Sequence, residues 1–445
     1  MKAMTRALVS FVKSYLPNPA SLAIILTIIV FLAGVIATPF GIVELANFYG
    51  NGLYGNLTFV MQMIMILFAG YALAISSSVN KLLRTIAAIP KTRSGALAFV
   101  FTVSMVCGYI NWGFGLVASA LIAKEVAARN IGKKTDFAIM VAAAYAACQI
   151  PALSSAVVLI SATPGHFLEG VMGVMPIGET LFAPFNVIMT IAYWLALLIV
   201  LMFINPKESD SIELDPAVIE AERKAAIELK EAEMNKVLSP AEKIDNFLPL
   251  SFFVAALMLI FVGRYFANFG FMNLSTNVVI TIFLALGLLA HKNPISYVRA
   301  VNEAIKTCGG VAFLFPLYWG LMGLMRDSGI TSTVTGWFMA ISTANTLPLF
   351  TFWSASLINT FIPSGGGQWA IQGPIVMQAA VNLGADLSRT AMAVTWGDLS
   401  TNLIQPFWAI PVLAVVKKDV RDIMGYCFMM CLAAMIVLSI GFVIL

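Results

Sequence analysis

The sequence predicts an all-α polytopic membrane protein with about nine spanning helices, two re-entrant hairpins and two halves related as inverted-topology repeats. Three observations carry that prediction. The 445 residues are 60% hydrophobic and only 11% charged, with a mean hydropathy of +0.91, a balance that excludes a soluble globular protein. Apolar runs of roughly 18 to 25 residues recur along the chain, each long enough to cross a ~30 Å hydrocarbon core. Glycine clusters interrupt two very apolar stretches. Each glycine costs a helix about 1 kcal/mol relative to alanine, and opened backbone in hydrocarbon must find internal partners or line a watered cavity.

Residues 1–20 combine Lys2, Arg6 and Lys13 with Phe, Leu and Val at mixed spacing, the pattern of an interfacial amphipathic helix. No small-residue cleavage site follows, so a removable signal peptide is not expected. Residues 21–204 form a first membrane repeat with spans expected at 21–40, 57–78, 137–160 and 181–204. A segment near 97–123 dips in and returns on the same side. Residues 205–246 are a charged loop, with eleven of the 22 acidic residues between Pro206 and Asp245, and its stretch 216–236 alternates Glu, Lys and Ala as a solvated helix does. A linking span at 247–267 leads into a second repeat, 268–445, with spans at 276–290, 307–325, 390–415 and 425–445 and a second hairpin near 350–378.

This arrangement puts 23 of the 26 lysines and arginines on one face, and the opposing segments 41–53, 161–180 and 268–275 carry none. By the positive-inside rule that face is cytoplasmic. The N-terminus is then inside, and an odd number of spans leaves the C-terminus outside, on the periplasmic or external face.

A shift of about 252 residues relates the halves in plan. The break at Asn111-Trp-Gly-Phe-Gly115 answers to Pro363-Ser-Gly-Gly-Gly367, and the span from Phe137 answers to one from Arg389. The linking span reverses the second half. Inverted repeats with paired interruptions direct attention to a site at the repeat interface near the midplane. Each half has a glycine-rich tip, 107–115 and 359–367, and then a polar interruption, 149–155 and 396–406.

Candidate substrate-binding residues are Asn111, Trp112, Gly113, Gly115, Asn359, Ser364, Gly365, Gly366, Gly367, Gln368 and Trp369. Amides at a helix start hold a carboxylate, carbonyls hold a cation, and indole faces can enclose a short alkyl chain. Asp398 is the one carboxylate well inside an expected span, where an ionised group is costly and therefore a functional candidate. It could carry a coupling proton, or hold Na⁺ together with Ser400, Thr401 and Asn402. No other metal or cofactor is expected. The five cysteines and two histidines show no metal-ligand spacing, and the cysteines read as free thiols.

At these motifs the chain resembles the bacterial short-chain fatty acid transporters. The resembling stretches are Ile110 to Val117, Ala162 to Gly165, Pro363 to Pro374, Gln405 to Pro411 and Val420 to Cys427, spread from the first repeat to the end of the chain. The resemblance implies a bacterial inner-membrane protein that takes up small monocarboxylates such as butyrate or acetoacetate by ion-coupled symport. It also implies grouping with ion transporters built from inverted repeats with re-entrant hairpins, often homodimers that move as elevators. The expected partners are the monocarboxylate, the lipid bilayer and a second copy, with no nucleic acid.

Other functions fit less well. An intramembrane hydrolase needs a base beside a nucleophile such as Ser364, and His166 and His291 both fall in loops. Paired broken helices suit alternating access better than a channel. A carrier for another small carboxylate, such as a C4-dicarboxylate, is the nearest alternative. A dianion favours buried cations, and the two expected hairpins contain no lysine or arginine.

Overall fold

The computed structural model describes residues 19–54, 57–221 and 238–445, with 224 and 228 between the last two stretches. The amphipathic N-terminal helix expected over residues 1–20 and most of the alternating stretch 216–236 lie outside the described residues. Among the described residues there is no strand. The protein is an all-α, multi-pass membrane protein.

The first half opens with α1 (Pro19–Ala37), α2 (Ile42–Tyr54), α3 (Leu57–Ala74) and α4 (Ser77–Ile86). A helical hairpin follows, α5 (Arg93–Ile110) and α6 (Trp112–Arg129). Then come α7 (Phe137–Ala147), the short α8 (Ala156–Ser161) and α9 (Glu169–Met172), and α10 (Pro184–Ile204). Past the connector with α11 (Pro240–Asp245) lies α12 (Leu248–Phe269). The second half comprises α13 (Thr276–His291), α14 (Pro294–Asp327), α15 (Ile330–Ala340), the pair α16 (Leu347–Asn359) and α17 (Gly365–Leu383), the broken pair α18 (Leu387–Asn402) and α19 (Pro406–Val416), and α20 (Val420–Ile444).

Local chemistry sets the breaks. At Asn111 the backbone is extended (φ −159°, ψ 128°), which ends α5, and the Asn111 side chain accepts the Phe114 N–H at 3.0 Å to start α6. Ser364 does the same for α17, accepting the Gly367 N–H at 3.3 Å. Asp136 caps α7 by accepting Ile139 N–H, and Asp386 caps α18 by accepting Arg389 N–H. The same capping device thus opens the matched helices of both halves. α18 stops before Pro406, whose missing N–H and ring cannot continue a helix, and the chain bends by 54° into α19.

Each tip rests on a long helix. A Cβ on Gly70 of α3 would fall 2.4 Å from the Phe114 nitrogen, and one on Gly113 would fall 2.8 Å from the Ile66 oxygen, so the first tip and α3 pack backbone to backbone. The second tip rests on α14, where Gly367 faces Met322 and Trp319. At the centre lies α7, nearly every residue of which is buried, as its all-round apolar sequence demands. By contrast, α12 is peripheral, and it exposes Phe252, Phe253, Ile260 and Phe261 to the lipid side.

Among the described residues five helices are long and apolar enough to cross a membrane, or up to seven if each bent pair counts as one span. The other expected spans do not meet that criterion as single straight helices. The run 137–160 is broken after Ala147, Thr276–His291 is a shorter helix, and 307–325 is the interior of the 34-residue α14, bearing Pro316. The constant repeat offset also lapses at the end. The stretch 162–183, which carries the short α9, separates α8 from α10, whereas only 417–419 separate α19 from α20.

The charged segments gather at one end. Arg93 donates to Asn205, Pro206 and Ser211, Gly132 N–H donates to Glu213, Lys418 lies 5.8 Å from the Phe137 ring centre, and Arg84 pairs with Glu125. The loops poor in basic residues meet at the other end, where Ile177 N–H bonds Met272 O at 3.0 Å and Thr163 bonds Leu274 O at 3.3 Å. Because α20 runs away from Lys418, the C-terminus lies at this second end, where Arg389 donates to Phe442 O.

Candidate functional site

Four irregular segments, two from each half, converge on one cavity of about 80 Å³. One water needs roughly 10–15 Å³ by this measure, so the space suits a solute of about five to eight heavy atoms. The first tip contributes Trp112, and Leu116 lies a turn behind it. The first interruption contributes Cys148, Gln149, Ile150, Ser154 and Ser155. The second tip contributes Ser364, Gly365 and Gly366, and the second interruption contributes Asp398, Leu399, Asn402 and Trp408. Among the described residues no lysine, arginine or histidine lines it.

Three hydroxyls face this space with their protons unused. Ser154 Oγ accepts Trp112 N–H at 2.9 Å, Ser155 Oγ accepts Ala152 N–H at 2.8 Å, and Ser364 Oγ accepts Gly367 N–H. Each thus fills a lone pair, and among the described residues none donates. A hydroxyl held this way can still donate one hydrogen bond to a solute. The side-chain amide of Gln149 has no hydrogen-bond partner among the described residues, so it adds further donors. At the start of the 19-residue α17, Ser364 serves Gly367 and Gln368, which leaves the Gly365 and Gly366 N–H groups without a protein partner among the described residues. Free amides at the positive end of a long helix favour an anion.

Beside this donor set stands Asp398. A Cβ on Gly365 would lie 3.0 Å from Asp398 Oδ2, so the carboxylate packs directly against the glycine backbone. Asn402 Nδ2 reaches the same oxygen at 3.4 Å. The carbonyls freed where α18 stops are held from α7, since the Tyr145 hydroxyl donates to Asn402 O at 2.5 Å and to Gln405 O at 3.2 Å. The Trp112 and Trp408 rings meet edge to face, 5.3 Å between centroids, and form an apolar wall.

The residues expected from sequence divide into two groups. Trp112, Ser364, Gly365, Gly366, Asp398 and Asn402 line the cavity. Asn111 caps α6, Gly113 abuts Ile66, and a Cβ on Gly115 would fall 2.5 Å from Gly108 Cα, so these three shape the first tip. Gly367 rests against α14. Gln368 donates to Ala355 O and Gln372 Oε1, while Gln372 donates to Ser354, a polar ladder that holds α17 to α16. Trp369 is fully buried beside Leu168 and Val376. Ser400 bonds Gly397 O and Met435 Sδ, away from the cavity, and Thr401 and Asn359 form a buried network next to it.

Sequence reasoning missed Gln149, Ser154 and Ser155 as individual site residues, although it marked their segment. Tyr145 gave no signal, being one aromatic in an alanine-rich run. Among the described residues no group of three metal-ligating side chains occurs, and Cys107, Cys148, Cys427 and Cys431 are free and buried. His166 bonds Gly173 O and His291 bonds Ala72 O, and neither lines the cavity that Ser364 lines.

The family model for short chain fatty acid transporters matches residues 1–445. Two relatives, from Escherichia coli (strain K12) and Haemophilus influenzae (strain ATCC 51907 / DSM 11121 / KW20 / Rd), each bear the name "Putative short-chain fatty acid transporter". The first is 37% identical over 98% of both chains and the second 37% identical over 95% of both. Among solved structures, the Alcanivorax borkumensis YdaH transporter aligns over 95% of this chain and 98% of its own at 15% identity and a TM-score of 0.49. Neisseria gonorrhoeae MtrF, of a class of antimetabolite efflux pumps, aligns over 98% and 97% at 14% identity and 0.41. The chain belongs to the short-chain fatty acid transporter family.

Proposed function

We propose that the protein is a secondary active transporter that takes up butyrate- or acetoacetate-like monocarboxylates by alternating access, coupled to H⁺ or Na⁺. The observation that carries this reading is one cavity lined by all four breaks, whose wall combines hydroxyl and amide donors with the Asp398 carboxylate. Ser154, Ser155, Ser364, Gln149 and the α17 N–H groups hold the substrate carboxylate. Trp112, Leu116, Leu399 and Trp408 hold its alkyl end. Two carboxylates about 5 Å apart repel by about 3 kcal/mol at an effective dielectric of 20. A substrate anion therefore binds beside Asp398 only when a proton or cation enters as well, and that requirement is the coupling. The absence of a lining lysine or arginine favours a monoanion over a C4-dicarboxylate.

The two tips rest on α3 and α14, so the cavity can pass from one side to the other as the tips and broken helices shift against those two helices. The halves are read as inverted repeats, the end bearing the connector as cytoplasmic and the C-terminus as external, with homodimers in the inner membrane. Maleimide labelling of Asp210→Cys in intact cells tests the sidedness, and reaction from outside overturns it.

Uptake of labelled butyrate into proteoliposomes, with pH and Na⁺ gradients imposed separately, tests the function. Accumulation driven by one of the two gradients is expected. No accumulation under either, with uptake of succinate instead, overturns the monocarboxylate reading.

A further inference from the structure

A groove of about 520 Å³ opens where α1, α14 and α19 meet, at the end of the molecule that gathers the charged segments. Its floor is apolar, formed by Ala20 of α1, Phe313 and Leu314 of α14, and Ile410, Leu413 and Ala414 of α19. Lys417, Lys418 and Asp419 stand at its rim. Ile410, then Leu413 and Ala414, then Lys417 recur at helical spacing, so they form one stripe on α19, about 10 Å long, that ends in a lysine. Asp419 leaves the rim positive, being one carboxylate against two ammonium groups, and its Oδ1 accepts the Arg421 N–H at 2.9 Å to cap α20. The backbone adds an independent sign. Lys417 ends α19 in the left-handed conformation (φ 53°, ψ 47°), a place that glycine or asparagine ordinarily takes. The helix dipole could be met by a lysine inside the last turn at no backbone cost. Strain of this kind persists where the side chain itself is needed.

We propose that this groove binds one anionic phospholipid, with its phosphate on Lys417 and Lys418 and an acyl chain along the apolar stripe. Each part of the groove meets one part of that ligand. A basic rim between membrane helices attracts an anionic headgroup, and the apolar floor beside it takes hydrocarbon. A free phosphate would leave the floor unused, and a zwitterionic lipid would leave the rim unneutralised. The position matters because α19 has different neighbours at its two ends. Trp408, near its start, lines the substrate cavity, whereas Ile410, Leu413 and Ala414 line the groove. Between them Phe407 packs on Tyr318 of α14, 5.7 Å between ring centres. A lipid lodged against both α14 and α19 therefore bears on the contact between the broken helix and its support.

Lipid binding needs only the membrane placement of the chain and goes beyond the substrate reading. Its test is native mass spectrometry of the full-length, substrate-free protein, titrated with phosphatidylglycerol and with phosphatidylcholine of the same acyl chains. One phosphatidylglycerol should be retained at about tenfold lower lipid concentration than phosphatidylcholine, the effect of two lysines near a headgroup. Lys417→Gly/Lys418→Gln should abolish that preference. Glycine suits the left-handed backbone at 417, and Lys417→Gly alone is read the same way if the double variant does not yield folded protein. Ala414→Trp fills the groove and should exclude the retained lipid. Lys81→Gln/Lys91→Gln removes the same charge outside the groove and should bind as the parent does. Undiminished retention in the Lys417 variants or in Ala414→Trp overturns the site, as does equal loss in Lys81→Gln/Lys91→Gln. Glycerol 3-phosphate competing as tightly as the intact lipid overturns it too, since the apolar floor would then contribute nothing. Butyrate uptake by the same preparations separates the two ideas: its absence with lipid retention intact refutes the transporter reading alone.

Discussion

The two broken helices, α7 with α8 and α18 with α19, start alike and then diverge. Asp136 and Asp386 cap them in the same way, and at the same distance along each helix stands a cavity-lining residue, Cys148 in the first and Asp398 in the second. Past that point the first break offers the unpartnered Gln149 amide and the unused hydroxyl protons of Ser154 and Ser155. The second offers Asp398 and Gln405, whose Oδ1 and Oε1 have no donor among the described residues. A repeated scaffold thus gives two openings of backbone at one place with different side-chain chemistry. On the proposed function one serves the anion and the other the coupling ion, a division that near-equal halves would not offer.

The sharpest way to break this comparison is to block the point where the donors and the carboxylate meet. Gly365→Val places a side chain against Asp398 Oδ2 and over the α17 N–H groups. Butyrate uptake should fall roughly 100-fold, the scale on which about 1 Å of misplacement acts, while the variant still runs as a folded protein on size exclusion. Full uptake would mean that the second tip only packs.

A somewhat smaller effect should come from making the two breaks alike. Cys148→Asp adds a second carboxylate to the cavity, and repulsion of about 3 kcal/mol at an effective dielectric of 20 should raise the KM for butyrate roughly tenfold or more. Cys148→Ser, which adds no charge, should stay within about threefold. Equal KM values for the two variants would separate Cys148 from the solute.

Asp398→Asn retains shape and hydrogen-bonding capacity but removes charge. Exchange of butyrate across the membrane should persist, whereas accumulation driven by the ion gradient should fall to equilibration. Undiminished accumulation would make Asp398 structural. The smallest effect should be Trp112→Ala. It opens the apolar wall without touching the donors, so hexanoate should gain on butyrate by a few-fold in competition, the scale of one or two methylenes in an apolar pocket. An unchanged chain-length profile would place the alkyl end elsewhere.

Much of this was legible in the chain, for identifiable reasons. Three glycines between prolines in an apolar run, and polar residues amid Ile, Leu and Ala, cannot be accommodated in hydrocarbon without a break, so all four breaks could be placed. What each broken residue faces could not be read. Gly113 and Gly365 look equivalent in sequence, yet one meets the Ile66 carbonyl and the other meets Asp398, because the partner comes from a distant helix. Gln368 and Trp369 lie in the same motif as Ser364 but on the face turned toward α16 and Leu168. Tyr145, the residue that steadies the second break, sits in the opposite half. Nor can hydropathy tell an apolar segment that faces lipid from one, like α7, that is enclosed by protein.

The central claim is that the two breaks serve different ligands. One measurement addresses it most directly: butyrate affinity and gradient-driven accumulation determined on the same purified Ser154→Ala/Ser155→Ala and Asp398→Asn variants. Each hydroxyl contributes about 1 kcal/mol, so the first variant should bind butyrate at least tenfold more weakly and still accumulate it at saturating concentration. Asp398→Asn should bind butyrate no more weakly than the parent and lose accumulation. If both variants weaken both properties equally, the breaks form one undivided site and the division of labour between the halves is wrong.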